Sequence, residues 1–531
     1  MRPRAPESIV YVGTREPIAL GAILDARAEL SPDAVFLRFG AEQRTFAQTV
    51  QRAQLAADAL ASLGVGRGDK VALMLPNSLE FIDLWFASAM LGAILVPVNT
   101  ALKGDGLRYI VEHSQSRVAV VDEPLQEVYE AALGSAGPQL RFGRGAAREG
   151  WPAIAELLAG AHPRAAQASV RPGDLASVLY TSGTTGLPKG VMNCHAAYHA
   201  AGREFAERYV RVRAEDVLYT TLPLFHVNAQ MLSTVGALVS GVPLILSPRF
   251  SASRFFDEIR EHGATVFNYI GAMLTMLHNQ TPRDDDGENP VRLTVGGAAP
   301  AELWERFETR FGLQILEIYG LTETATFCLG SPPDDVRVGK LGLPVSWAEV
   351  QVQREDGTVA DAGEPGEIVV RSKRPQILFE GYYRNEQATR TAMEQGWFHS
   401  GDRGRRDADG YFVFLDRLKD TIRRRGENIS SYEVERIVNT HPDVVESAAV
   451  GVASELGEEE VMIVVVVHER RTLDPHALVA FCEERMAAFM VPRYVRIREQ
   501  LPKTATQRVQ KFTLREEGTA GAWDRMAETA R

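Results

Sequence analysis

The sequence predicts an α/β body followed by a smaller α+β domain, and three observations carry that expectation. Short apolar runs alternate with helix-length stretches from about residue 70 to about residue 320. Strand-like alternation takes over from about residue 345, and a fresh capping box opens a new pattern past Asp416. At 531 residues the chain is too long for one core, so two or more domains are expected. The boundaries read as 1–416 for the body, with a β-rich subdomain over about 345–416, and 417–531 for the C-terminal domain.

Thr45 and Gln48 form a capping box for a helix running to about Leu63, where Gly64 stops it. Val71 to Leu75 ends at Pro76 and reads as a buried parallel strand. Phe81 to Val98 is almost wholly apolar, but Asp83, Gly92 and Pro97 interrupt it. A buried helix from about Ser78 to Leu91 and a strand from Ile94 to Val98 fit better than a membrane span. Val118 to Val121 is the next strand. Residues 135–172 are rich in Ala, Gly, Arg and Pro and read as a surface connection holding one short helix. Ala176 to Tyr180, Val242 to Leu246, Thr265 to Tyr269 and Gln314 to Ile318 are strands, with a helix over Ala252 to His262. This alternation implies parallel sheets in two α/β lobes. Glu349 to Arg354, Gly366 to Arg371 and Tyr411 to Leu415 alternate like half-buried strands. Beyond them Ser430 and Glu433 cap a helix that ends near His441. Glu446 to Val452 and Val461 to Val467 are strands, and Asp474 with Pro475 opens a helix to about Phe489.

The net charge of −11 argues against a nucleic-acid partner. Cys194, Cys328 and Cys482 make neither a zinc motif nor a disulfide framework, so a reducing, cytoplasmic compartment fits. The N-terminus lacks the apolar core of a signal peptide.

The richest stretch is Tyr180 to Gly190, Tyr-Thr-Ser-Gly-Thr-Thr-Gly-Leu-Pro-Lys-Gly. Glycines let backbone N–H groups approach a ligand, hydroxyls donate to phosphate oxygens, and Lys189 adds a point charge. Thr181, Ser182, Gly183, Thr184, Thr185 and Gly186 form a polyphosphate loop after a strand. It is not a Walker A loop: Gly183 and Gly186 lie too close, and Gly190 follows Lys189 where Ser or Thr is required.

This loop resembles the signature of the adenylate-forming superfamily, and further motifs recur in that family's order from about residue 40 to residue 515. The resemblance implies a large N-terminal body with a mobile C-terminal domain, and an ATP- and Mg²⁺-dependent acyl-CoA ligase. Such an enzyme adenylates a carboxylic acid with release of pyrophosphate and passes the acyl group to coenzyme A. The implied partners are a small-molecule acid, ATP and CoA; a homodimer is left open. In Tyr319-Gly320-Leu-Thr322-Glu323, Tyr319 would stack on adenine, Thr322 would contact the α-phosphate and Glu323 would hold magnesium. Gly297 and Ala298 lie in a segment resembling the adenine wall. Asp402 would accept from the ribose hydroxyls, Arg417 would contact the ribose, and Lys419 falls at the hinge.

Leu222 to Asn228 resembles the segment lining the acyl pocket, with His226 as gate. Val227, Met231, Tyr269, Ile270 and Gly271 would complete an apolar, adaptable lining, Gly271 by leaving space. Arg424, Arg425, Gly426 and Glu427 would meet CoA. Residues 425–430 and Phe489 to Tyr494 resemble the crotonobetaine/carnitine-CoA ligase branch, whereas Phe267 to Gly271 is similar to fatty-acid-transport-type and steroid-acid synthetases. A carnitine-like acid would need a carboxylate or an aromatic cage, for which Tyr269 is the aromatic at hand.

One departure matters. The family's C-terminal motif places Gly-Lys where this chain has Gln507 and Arg508. Arg508 is the positional match for the catalytic lysine, and Lys511 the chemical match. Two other readings stay open: a stand-alone adenylating enzyme loading a separate carrier, and a nucleotide-binding pseudoenzyme. A luciferase-type monooxygenase has no specific residue in its favour.

Overall fold

The structure is a computed structural model. It describes residues 9–13, 16–134, 136–163, 170–181, 188–420, 422–424, 427–453, 459–486, 488–504 and 508–527. The chain divides into two compact units. The first holds residues 1–181, 187–350 and 370–398; the second holds 182–186, 351–369 and 399–531.

The first unit is built on two sheets. In one, the strands Leu140–Arg144, Val118–Asp122, Lys70–Met74, Ile94–Pro97 and Leu175–Thr181 lie side by side and parallel, and Lys189–Cys194 closes the edge antiparallel. The expected buried helix is Leu79–Leu91, N-capped by Ser78 and stopped by Gly92 in the left-handed conformation. Its Asp83 is fully buried and held by Arg44 at 2.7 Å and Arg52 at 3.3 Å, which explains a carboxylate inside an apolar run. No helix among the described residues is long and apolar enough to cross a membrane.

The other sheet has nine strands. Gln314–Tyr319, Leu293–Gly297, Val266–Ile270, Leu218–Thr220, Leu244–Leu246 and Val35–Phe39 run parallel at its centre. Ligands of open parallel sheets gather at the carboxyl ends of such strands. Three of those ends deliver Ile270, Gly297 and Tyr319.

The second unit carries a four-stranded sheet of Val444–Ala453, Glu459–Val467, Tyr494–Arg498 and Trp523–Asp524. Val461, Ile463 and Val465 pack into one core and Met462, Val464 and Val466 into another, so both faces are covered. That double burial is why the strand reads as an unbroken apolar run.

Three expectations need correction. Residues 135–172 also contain the strand Leu140–Arg144, an edge strand whose arginines dilute the apolar signal. The helix expected over Ala252 to His262 begins at Phe255. The helix opened by Pro475 ends at Glu483 rather than near Phe489, because Met490 and Val491 must turn into the core.

Candidate active site

The hairpin Leu175–Thr181/Lys189–Cys194 places Thr181 opposite Lys189, so the ends of the phosphate loop are fixed by strand pairing. Ser182, Gly183, Thr184, Thr185 and Gly186 lie outside the described residues. Gly190 is required here because a Cβ would sit 2.7 Å from Val178 and against the Tyr180 ring.

Lys189 and Glu323 meet at a residue that the sequence reading missed. The Lys189 ammonium lies 4.8 Å from the centre of the Tyr382 ring, and the Tyr382 hydroxyl donates to Glu323 Oε1 at 2.8 Å. Burial, with the Glu323 carboxylate beside it, pushes the Tyr382 hydroxyl well above its ordinary pKa, so it remains a donor. The signal available in the sequence was Gly381 before two tyrosines and the Asn385 cap. The structure gives Gly381 φ +119° and sets Asn385 at the head of the helix Glu386–Ala392.

Tyr319 ends its strand half-buried, and Gly320 follows where a Cβ would overlap Phe327 and Thr326. Thr322 and Glu323 sit in a short 3₁₀ turn, and Ala325 and Thr326 leave it at φ +48° and +78°. Left-handed conformation at two consecutive non-glycine residues is a strained arrangement of the kind that clusters at ligand clamps.

Gly297 and Ala298 follow the Leu293–Gly297 strand. Ala298 is exposed and left-handed at φ +64°. The buried Glu317 carboxylate accepts from Ala298 N at 2.6 Å, Ala299 N at 3.1 Å and the Tyr269 hydroxyl at 2.9 Å. Desolvation raises the Glu317 pKa to about 7 against the lowering effect of these three bonds.

The acyl-side residues are partly brought together. His226, Val227 and Asn228 are half-buried, and a π-helix begins at Asn228. Such π-turns frequently mark functional sites. Ile270 is 45% exposed, and Met231 is buried, its sulfur accepting from Thr326 Oγ1 at 3.2 Å. Two expectations change. Tyr269 is fully buried with its hydroxyl on Glu317, so it is a core residue and supplies no cage. Gly271 does not leave open space: the carbonyl oxygen of Ala298 fills the place its Cβ would need. A polar pair was not foreseen: Asn268 Nδ2 donates to Asn228 Oδ1 at 2.8 Å.

In the second unit, Asp402 and Arg417 are partners in one hairpin, and Arg417 Nε lies 3.2 Å from Asp402 Oδ1. Asp402 is buried, and its N–H donates to Ser400 Oγ. Glu367 steadies the turn before it, bonding His399 Nδ1 and Gly401 N, each at 2.8 Å. Lys419 falls in the short helix Leu418–Asp420.

Arg424 is a correction to the expected CoA contacts. Its guanidinium lies 2.6 Å from the buried Glu460 and donates to the carbonyls of Phe489 at 2.8 Å and Val491 at 3.2 Å. It ties strands together. Arg425 and Gly426 lie outside the described residues, and Glu427 begins the strand Glu427–Ile429.

The two candidate cations of the C-terminal motif differ sharply. Arg508 is exposed, and its carbonyl accepts from Thr504 N at 2.7 Å. Lys511 is largely buried, donating to Ser431 Oγ at 2.6 Å and pairing with Glu435 at 2.8 Å.

The fold and these motifs define an adenylate-forming enzyme. The chain belongs to the AMP-binding enzyme family, whose profile matches residues 24–383; the profile of the AMP-binding enzyme C-terminal domain matches 433–508. A crotonobetaine/carnitine–CoA ligase of Salmonella arizonae is 33% identical over 474 residues, covering 86% of this chain and 89% of that protein. An anthranilate CoA ligase solved with anthranoyl-AMP superposes with TM-score 0.86 at 26% identity, covering 97% of this chain and 98% of the other. The o-succinylbenzoate coenzyme A synthetase of Bacillus subtilis, solved with ATP and magnesium ion, gives TM-score 0.82 at 26% identity, over 93% and 98% of the two chains. The residue types fit ATP and Mg²⁺: a carboxylate at Glu323 and an ammonium at Lys189 both contact Tyr382, one at its hydroxyl and one over its ring. ATP, Mg²⁺ and CoA are the groups this ligase works with.

Proposed function

We propose that the acid activated by this AMP-forming acid–CoA ligase is small and carries a hydrogen-bonding substituent. The observation behind this is the Asn268–Asn228 pair. It lies in both segments that resemble the acyl pocket, Asn268 buried and Asn228 half-buried. A pocket lined by side-chain amides discriminates strongly against an acid that cannot hydrogen-bond to them. An apolar lining from Val227 and Ile270 alone would favour plain alkyl acids. The crotonobetaine/carnitine–CoA ligase relative supports a compact polar acid here.

In the first half-reaction a carboxylate oxygen attacks the α-phosphorus and the bond to pyrophosphate breaks. Lys189 and Thr322 hold phosphate oxygens, Glu323 would hold Mg²⁺, and that ion would offset charge at the phosphates. Tyr319 and Ala298 frame the adenine, and Asp402 with Arg417 serve the ribose. Arg508 supplies the cation that bridges acid and phosphate. His226 gates the acyl side. In the second half-reaction the CoA thiol attacks the acyl carbon and AMP leaves. Lys419 is the hinge for the change between the two. The buried Cys194, Cys328 and Cys482, none in a disulfide, support a reducing, cytoplasmic setting.

Pyrophosphate release tests this, across acids matched in length but bearing hydroxyl, amino, quaternary ammonium or no substituent, with and without CoA. A kcat/KM at least tenfold higher for the hydroxyl- and amino-substituted acids than for the quaternary ammonium and unsubstituted ones, with thioester formed only with CoA, is expected. Equal or better turnover of plain alkyl acids would overturn the substrate class.

A further inference from the structure

We infer that Glu317 is a positioning residue for the nucleotide: its carboxylate holds the Ala298–Ala299 backbone in the shape that faces the base. This rests on the reading of Ala298 as part of the adenine wall. Glu317 touches no substrate itself. It sits on the Gln314–Tyr319 strand beneath the segment, and acts on it through two backbone N–H groups at 2.6 and 3.1 Å.

Three observations make this more than an ordinary buried carboxylate. Ala298 is left-handed, a conformation that L-residues with a Cβ adopt only when their surroundings impose it. The imposing contacts come from Glu317 below and from Gly271, whose missing side chain admits the Ala298 carbonyl. Gly296 lies between the partners in register, opposite both Tyr269 and Glu317, and a Cβ on it would overlap Tyr269. The Tyr269 hydroxyl reaches Glu317 only because that rung is empty.

Charge state decides how well the device works. Two carboxylate oxygens meet three donors, so an ionised Glu317 satisfies all of them. A protonated one replaces an acceptor lone pair with a donor and releases part of the backbone. Tyr269 is the titratable group against it from the Val266–Ile270 strand. Gly296 brings no side chain, residues 298–299 bring N–H groups, and Leu329–Gly330 on the far side brings no charge. Burial raises the Glu317 pKa to about 7. Nucleotide binding therefore couples to deprotonation of Glu317.

ATP·Mg²⁺ binding measured calorimetrically from pH 6 to pH 8.5, without acid or CoA, tests this on wild type, Glu317→Gln and Tyr269→Phe. Wild type should bind at least threefold more weakly at pH 6 than at pH 8. Glu317→Gln should be weaker than wild type at pH 8 and lose the protein's share of that slope, the ligand's own protonation being common to all three proteins. Tyr269→Phe deletes one donor to the carboxylate and should move the midpoint to higher pH. A Glu317→Gln slope identical to wild type, or a midpoint unmoved in Tyr269→Phe, overturns the inference. If Glu317→Gln does not fold, the Tyr269→Phe midpoint decides alone. ATP binding with normal slopes but no pyrophosphate with any acid would count against the ligase reading and leave this one standing.

Discussion

The Tyr269 hydroxyl donates to Glu317 at 2.9 Å across Gly296, so one rung of three parallel strands is closed by side chains of the outer two. Gly296→Ala should therefore strain the rung. Overpacking of this kind costs about 1–3 kcal/mol, visible as a lower urea midpoint with unchanged m-value.

Stability should depend on pH through the same carboxyl. Burial raises Glu317 from its ordinary 4.5 to about 7, so the folded protein binds this proton more readily than the unfolded chain. The contribution is complete below pH 4.5 and is lost as pH rises through about 7. Relative to Glu317→Gln, wild type should lose on the order of 3 kcal/mol between pH 4.5 and pH 8. Paired urea titrations at several pH values would check the sign.

Arg508 and Lys511 should separate cleanly. Arg508→Ala removes an exposed cation and should lower pyrophosphate release at least a hundredfold with little change in Tm. Lys511→Met strands the buried Glu435 carboxylate, whose pKa burial already raises, and should cost about 3–5 kcal/mol. A hundredfold activity loss in Lys511→Met with Tm unchanged would reverse the two roles.

Tyr382→Phe keeps the ring beneath Lys189 and removes the hydroxyl on Glu323. The expected result is a weaker Mg²⁺ dependence curve, its midpoint shifted about tenfold upward, with acid KM unchanged. Glu323→Gln should shift it further.

Arg424→Ala should change stability and leave the KM for CoA alone, because its guanidinium is engaged with Glu460 and two carbonyls. A large rise in that KM with normal Tm would restore Arg424 as a CoA contact.

Many strands buried on both faces were legible, but Leu218–Thr220 and Leu293–Gly297, buried in the same way, were not expected. Val461 to Val467 announces itself as an apolar run, and the strands ending at Ile270 and Tyr319 are each apolar but for one interior polar residue, Asn268 and Glu317. The edge strand Leu140–Arg144 does not announce itself, since Arg141, Gly143 and Arg144 break its apolar run. The loop chemistry was legible because Gly, Thr, Ser and Lys at fixed spacing have few other uses. Tyr382 was not, because its role comes from a contact 59 residues away with Glu323, which no local pattern encodes. Tyr269 was misplaced for a similar reason: an aromatic beside a pocket segment can face either side of its strand. Only the cross-strand register, with Gly296 in between, decides the matter.

The Ala298 carbonyl seated over Gly271 has a practical meaning for anyone altering substrate range. The segment carrying Ala298 and the helix starting at Gly271 behave as one mechanical piece. Enlarging residue 271 to shorten the acyl channel would push on the nucleotide side, so selectivity gained there would come with weaker ATP use. Ile270 pairs with Gly297 in register and shares that linkage, whereas the Asn228 side chain bonds Asn268, so diversification belongs at Asn228.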